Sequence, residues 1–383
     1  MLPRVRSARG ARGLPPRPAK AGRRKWITTQ SGGRPHFMKK AVKLIVGILL
    51  AALFLALSLR GVDTANALRN AMHASWGYML ASVAVGLFGH NLLRAWRWRV
   101  MLTPEKPGIG LYNLFSTTVI GYAASWSLPL RVGEFLRPVL LAEREGIRAS
   151  AALTTVLIER FLDGLAIVAL SAVAVMTWNG REGIGPEGEA AIRYAGWGGA
   201  VVLCGSALLF GLLIGAAATK SRWEGRVESF AARSKNRLLA SAARGLVGLV
   251  EGGTILRRPA GLALTAVLSV AVWMVIGYSV WLGLKSAGIE ITYPEVFILM
   301  PASVLGIGIP TPGGAGSYEY LVSRALQYLF NQPLDTAYAA TLILHVLITL
   351  LPTVLLGSVL LWRDGVSIAR LKSTMAAAAG GSP

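Results

Sequence analysis

Six windows of mostly apolar residues, at about 41–59, 77–93, 151–176, 196–218, 260–283 and 337–361, are each long enough to cross a hydrocarbon core of ~30 Å as a helix. A soluble domain of 383 residues cannot bury so much apolar surface: 54% of the chain is hydrophobic, 15% is charged and the mean hydropathy is +0.53. The chain therefore reads as an all-α integral membrane protein with more than one pass.

Two further apolar stretches, about 111–142 and 294–330, are interrupted at Pro129 to Gly133 and at Pro310 to Gly316. Proline removes a backbone donor and clashes with the preceding turn, and glycine lacks the side chain that favours helix. Backbone freed at membrane depth must be buried in protein or line a wet cavity, so both stretches are expected to be re-entrant helical hairpins.

Charge supports the count. Residues 1–40 hold twelve Lys or Arg and no acid, and 219–258 holds nine basic residues against three acids, which puts both on the cytoplasmic side. Arg94, Arg97, Arg99 and Lys106 go with them, and the 178–195 loop with Glu182, Glu187 and Glu189 goes outside. With six spanning helices plus two re-entrant hairpins, both termini are cytoplasmic. Each half then reads span, span, hairpin, span, the second half starting on the opposite side. The two inverted-topology halves are the plan of secondary transporters. Both breaks read Pro-x-x-x-Gly, at Pro129–Gly133 and Pro312–Gly316, each followed by a glutamate, Glu134 and Glu319.

Charged residues at these depths are the candidate site. In RVGEFLR, residues 131–137, Glu134 and Arg137 fall on one face of a helix starting near Gly133, with Glu134 in its first turn where the dipole favours a carboxylate. The next span carries Glu159, Arg160 and Asp163 on one side, near mid-bilayer, where a lipid-facing charge costs about 3 kcal/mol or more. Arg131 and Arg137 are the expected partners. The bland alternative is a buried ion-pair network that pins hairpin to helix. In the second hairpin, Gly313, Gly314 and Gly316 after Pro312 permit positive φ, so successive amides could form an anion nest at a helix start. A tight turn of small residues is the competing reading, and Glu319 is left to hold a headgroup amine or to close an internal ion pair.

The segments LPLRVGEFLRPVLL, IERFLDGLA, NLLRAWRWRVML and IPTPGGAGSYEYL resemble, in order and in residues, the recurring motifs of the lysylphosphatidylglycerol synthase transmembrane-region family, the flippase-like domain of multiple peptide resistance factors. The similarity runs from about Met38 to Trp362. It implies a lipid-translocating domain of two inverted halves around a central cavity. In LILHVLITLLPTVLLG, His345 stands where the resemblance leads one to expect arginine. Only about twenty residues follow Trp362, so the synthase part is not expected, and the lipid cannot be carried over from the family name.

Other chemistry is not encoded recognisably. The single cysteine, Cys204, excludes an intrachain disulfide and is expected to be a packing residue, and His36, His73, His90 and His345 lack metal-ligand spacing. GAAATKS, residues 215–221, lacks the second glycine of a phosphate loop. No metal, cofactor or catalytic residue is expected, and the chain is not expected to be an enzyme.

Residues 1–37 form a basic, Pro- and Gly-rich tail expected to be disordered and to attract anionic headgroups rather than nucleic acid, with Met38 an equal candidate for the start. The body spans 38–362, and 363–383 is a cytoplasmic tail. Phe230, Leu238, Ala242, Leu246 and Leu249 suggest an amphipathic helix on the inner leaflet, and Arg97 and Arg99 between Trp96 and Trp98 read as an interfacial belt. The leading function is a flippase or transporter in the plasma (inner) membrane, moving a phospholipid or polyprenyl-type lipid by its headgroup. Three arginines (131, 137, 160) against four acids (134, 159, 163, 319) suit a zwitterion. A membrane enzyme acting on a lipid phosphate and a scaffold for lipid synthesis are the rivals, and homo-oligomerisation stays open.

Overall fold

The computed structural model describes residues 34–127, 133–180, 184–234 and 258–365, together with scattered positions between 236 and 255. Expectations for the tail before residue 34, for Arg131, for Glu182, for Leu238, Ala242, Leu246 and Leu249, and for the end of the chain fall outside these residues. The described residues form helices and turns with no strand.

In chain order the helices are α1 (Arg34–Ser58), α2 (Thr64–Met72), α3 (Trp76–Leu102), α4 (Leu111–Ser127), α5 (Gly133–Glu145), α6 (Ala149–Met176), α7 (Pro186–Ala218), α8 (Lys220–Arg233), α9 (Pro259–Ser286), α10 (Val296–Gly308), α11 (Ser317–Phe330) and α12 (Leu334–Arg363). Three of them, over Pro186–Ala216, Pro259–Ser286 and Leu334–Arg363, are long and apolar enough to cross a membrane, and α2 with α3 makes a fourth if that pair, bent by 81°, counts as one span. Outward-facing Trp197, Val201, Leu208 and Leu212 on α7 and Leu355 and Val359 on α12 give the apolar surface that lipid tails cover.

The sequence explains several boundaries. Pro186 sits at the first position of α7 with Glu187 and Glu189 in the first turn, a start that suits both the proline φ and the helix dipole. The loop expected over 178–195 is therefore shorter, and the span begins ten residues earlier than its apolar run. Cys204 is exposed on this helix and packs no core. In α12, Pro352 cannot donate to the preceding turn, and the segment before it, Ile343–Leu350, widens into a π-helix. A second π turn, Val85–Gly89, lies in α3.

The two interrupted stretches become paired short helices. Helix α4 packs on α5, and α10 on α11. Helix α4 also packs along the second half of α12, and α10 along α6. At one end, Tyr112 and Ser116 of α4 donate to the Asp364 carboxylate, which Arg144 of α5 reaches at 2.8 Å. At the other end of α12, Asp335 accepts from the Asp63 amide (2.8 Å) and from Asn66 Nδ2 (3.0 Å), and Arg324 of α11 donates to the Arg60 carbonyl. The open ends of the two pairs thus lie at opposite ends of α12.

Their inner ends meet. The turn Pro312–Gly314 follows α10, and a Cβ on Gly313 would lie 3.0 Å from the Trp126 carbonyl at the end of α4. Gly133 and Gly121 form the crossing of α5 over α4: a Cβ on Gly133 would collide with the Gly121 carbonyl and with Ser125. Gly133 is therefore a close-approach residue.

Candidate functional site

Helix α6 supplies two carboxylates one turn apart, Glu159 and Asp163, both buried. Burying two like charges needs compensation, which arrives from two neighbours. Arg94 and Arg97, three residues apart on α3, both face α6. Arg94 Nη1 lies 3.1 Å from Glu159 Oε1 and 3.1 Å from Asp163 Oδ2. Arg97 reaches Asp163 Oδ1 at 2.5 Å and Glu159 Oε1 at 3.3 Å, and also donates to Ser269 Oγ of α9 at 2.7 Å. From α5, Arg137 grips Glu159 with both terminal nitrogens, at 2.9 and 3.1 Å, while its guanidinium lies 4.0 Å over the Trp98 ring. Trp98 is fixed by its own donation to Thr155 Oγ1 at 2.9 Å.

Arg160 differs from the other three. Its Nη2 touches Glu159 Oε1 at 2.9 Å and the Tyr122 hydroxyl at 3.3 Å, but 37% of its side chain stays exposed, on the wall of a cavity. Glu134 lines the same space. Four guanidinium groups therefore face three carboxylates, and the cluster leans cationic.

The cavity measures about 870 Å³. Arg94, Arg160, Asp163 and Glu134 line it together with apolar Ile167, Val168, Ile276 and Val280, and Gly313 and Gly314 from the turn of the second helix pair and His345 of α12 border it as well. Its wall is mostly apolar with a few polar groups, the usual make-up of a small-molecule site. The Nε atoms of Arg94 and Arg160 and Nδ1 of His90, all from lining residues, have no hydrogen-bond partner in the protein.

At the second break, Gly313, Gly314 and Gly316 have φ of 61°, 76° and 80°, the left-handed region expected of them. Their amides do not form an open nest, however. Gly314 donates to the Thr311 carbonyl, Ala315 to the Pro312 carbonyl, and Gly316 to Glu319 Oε2 at 2.7 Å. The turn supplies its own acceptors, so the phosphate cradle expected at Pro312–Gly316 is already filled. Gly316 is held there by space as well: a Cβ would meet the Leu55 amide at 2.5 Å. Glu319 closes an internal pair, with His345 Nδ1 at 2.5 Å from its Oε1.

The structure brings Arg137, Glu159, Arg160 and Asp163 together and sets Glu134 beside them. Glu319 and His345 form a separate pair at the turn. Sequence reasoning missed Arg94, Tyr122 and Ser269, and it misassigned Arg97. Trp96 and Arg99 do face outward, but Arg97 and Trp98 are fully buried. The usable signal was the three-residue spacing of Arg94 and Arg97, which puts both on one face of a helix.

A family model for the lysylphosphatidylglycerol synthase transmembrane region matches residues 44–357. The chain belongs to that family, whose members are membrane-embedded proteins related to lipid handling. No curated protein sequence matches the chain.

Proposed function

We propose that this member of the lysylphosphatidylglycerol synthase transmembrane-region family is a plasma-membrane lipid translocator that passes an anionic headgroup through its cavity while the hydrocarbon chains stay against apolar walls. The observation that carries the reading is the single cavity of about 870 Å³ that joins Arg94 and Arg160 to the apolar wall of Ile167, Val168, Ile276 and Val280. A phospholipid or polyprenyl phosphate has that division into charged and apolar parts. The cationic lean of the cluster favours an anion over the zwitterion suggested by the sequence count, and Arg160, the most open of the four arginines, is the group placed to grip it.

The architecture that goes with this reading has six spans, two re-entrant hairpins (α4–α5 and α10–α11), two inverted halves and cytoplasmic termini. Helix length supports it: α4 has 17 residues, α5 and α10 have 13 and α11 has 14. At 1.5 Å per residue these reach roughly 20–25 Å, short of a ~30 Å core. The opposite-facing open ends and the touching inner ends support it too, as does the exchange of contacts, in which each pair packs on the closing helix of the other half.

A lipid enzyme would need reactive groups free in the cavity. Here Glu159 and Asp163 are held by arginines, and no cluster of three metal-ligating side chains occurs among the described residues. The test is reconstitution into liposomes with fluorescent phosphatidylglycerol, reading leaflet exchange and chemical conversion together for the wild type and Arg160→Gln. Exchange without conversion, lost in the variant, is the expected result. Conversion would establish an enzyme, and neither exchange nor conversion would leave a scaffold.

A further inference from the structure

The imidazole of His345 makes two short polar contacts, and both partners act as acceptors. Its Nε2 is 2.9 Å from the Gly313 carbonyl, and its Nδ1 is 2.5 Å from Glu319 Oε1. A carbonyl can only accept, so Nε2 must carry a hydrogen. A second hydrogen must lie between Nδ1 and the carboxylate, on one atom or the other. Ring and carboxyl together therefore hold one proton more than a neutral histidine beside an ionised glutamate. If that proton leaves, a single N–H remains for two acceptors, and one contact must break. Keeping hydrogen on Nε2 turns the Nδ1 lone pair toward a carboxylate, whereas moving it to Nδ1 releases the turn.

The surroundings make this consequential. Trp126 of α4 and Tyr318 of α11 pack on the ring, at 5.5 and 4.6 Å between centroids, and both His345 and Glu319 are buried. His345 sits on the π-helical segment of α12, so the pair ties that helix to the turn Pro312–Gly314 and to the start of α11. The phenols of Tyr318 and Tyr338 are buried, and the Tyr318 ring packs on the imidazole. Helices α4 and α10 carry no charged residue, and α1 meets Gly316 with its backbone. The cavity that His345 borders is also lined by Arg94, Arg160, Asp163, Glu134 and His90. Among the described residues, the ion pairing of His345 and Glu319 is with each other.

We infer that His345, which lines the cavity, and Glu319 behind it form a proton-binding site, and that the proton is the ion whose binding and release is coupled to passage of the headgroup. The inference rests on the translocator reading for its purpose, though the proton site can be tested without it. The proton-loaded pair holds the turn against α12 and the cavity wall in place. Release of the proton, with the remaining hydrogen on Nδ1, frees the Gly313 carbonyl at a turn that lines the cavity and takes the left-handed φ that favours glycine.

The first measurement uses phosphatidylcholine vesicles containing a trace of NBD-labelled phosphatidylglycerol, with the membrane potential clamped to zero. One proton per lipid predicts that a pH step of one unit biases the label between leaflets by up to about tenfold in the wild type. His345→Arg, which fixes the charge, and Glu319→Gln should leave the distribution even. The second measurement is the SDS-unfolding midpoint in detergent, which should fall for the wild type as pH rises and one contact of the pair is lost, and should lose that dependence in both variants. Wild-type exchange with an even distribution under the gradient overturns the coupling, as does a bias that persists in both variants. Absence of exchange at every pH overturns the translocator reading, and the unfolding data then decide the proton site alone, a flat wild-type profile refuting it.

Discussion

Replacing Glu159 with glutamine should harm the protein more than replacing Asp163 with asparagine, although both carboxylates are buried in one cluster. The difference lies in what each leaves behind. Arg137 spends both terminal nitrogens on Glu159, so Glu159→Gln takes away the carboxylate that its buried guanidinium grips and turns amide hydrogens toward it. Orphaning one member of a buried pair costs about 3–5 kcal/mol. After Asp163→Asn, by contrast, Arg94 and Arg97 keep Glu159 at 3.1 and 3.3 Å, and Arg160 keeps it at 2.9 Å. The loss is then one set of charge-assisted hydrogen bonds, about 1.5–3 kcal/mol.

The SDS-unfolding midpoint in mixed micelles, followed by tryptophan fluorescence, ranks the two. A double-variant cycle sharpens the result. Adding Arg137→Met to Glu159→Gln removes the orphaned cation, and the coupling between the two sites should be about 1–3 kcal/mol in the restoring direction. If Asp163→Asn proves the more damaging, or the two substitutions of the cycle simply add, Arg137 does not depend on Glu159 and the account of the cluster is wrong.

Gly316→Ala combines a left-handed φ of 80° with a Cβ 2.5 Å from the Leu55 amide, so it should cost at least about 1–2 kcal/mol from backbone shape alone and lower the yield of folded protein in a detergent-extraction assay. Gly133→Ala should cost about 1–3 kcal/mol by the same assay, because the added methyl meets the backbone of α4. At the end of α12, burial pushes the Asp364 carboxyl up, but the hydroxyls of Ser116 and Tyr112 and the guanidinium of Arg144 outweigh it and hold it below the usual carboxylate range. The stability this contributes is complete above the ordinary value of about 3.9 and is lost as pH falls through the depressed one, so Asp364→Asn should flatten the acid limb of a stability profile.

The features legible in the sequence were those set by local rules. Pro310 to Gly316 had to break a helix, and three glycines there do take positive φ. Glu159 and Asp163 had to share a face because they are four residues apart in a helix. What the sequence concealed depended on distant partners. RAWRWR reads equally well as a belt of snorkelling arginines, and only the acids of α6 and Ser269 of α9 draw Arg97 inward while Arg99 stays out. The glycine turn fits an anion nest on paper, yet whether its amides are free depends on a carboxylate at Glu319 and on carbonyls inside the turn, which spacing alone does not reveal.

These two corrections belong together. Taking Arg94 and Arg97 into the cluster shifts its balance toward positive charge, and closing the glycine turn removes the second place where a phosphate was expected. On the proposed reading an anion is gripped where Arg160 remains partly open, while His345, which also lines the cavity, is paired with Glu319. An arrangement built only for rigidity would gain little from a half-exposed arginine and a buried histidine–glutamate pair bordering one cavity, since surface-like ion pairs add little stability and buried ones are costly to form. On the proposed reading, a site for an anion and a site for a proton, linked through the turn that borders the cavity and contacts the last helix, would allow charge-compensated passage of a lipid headgroup.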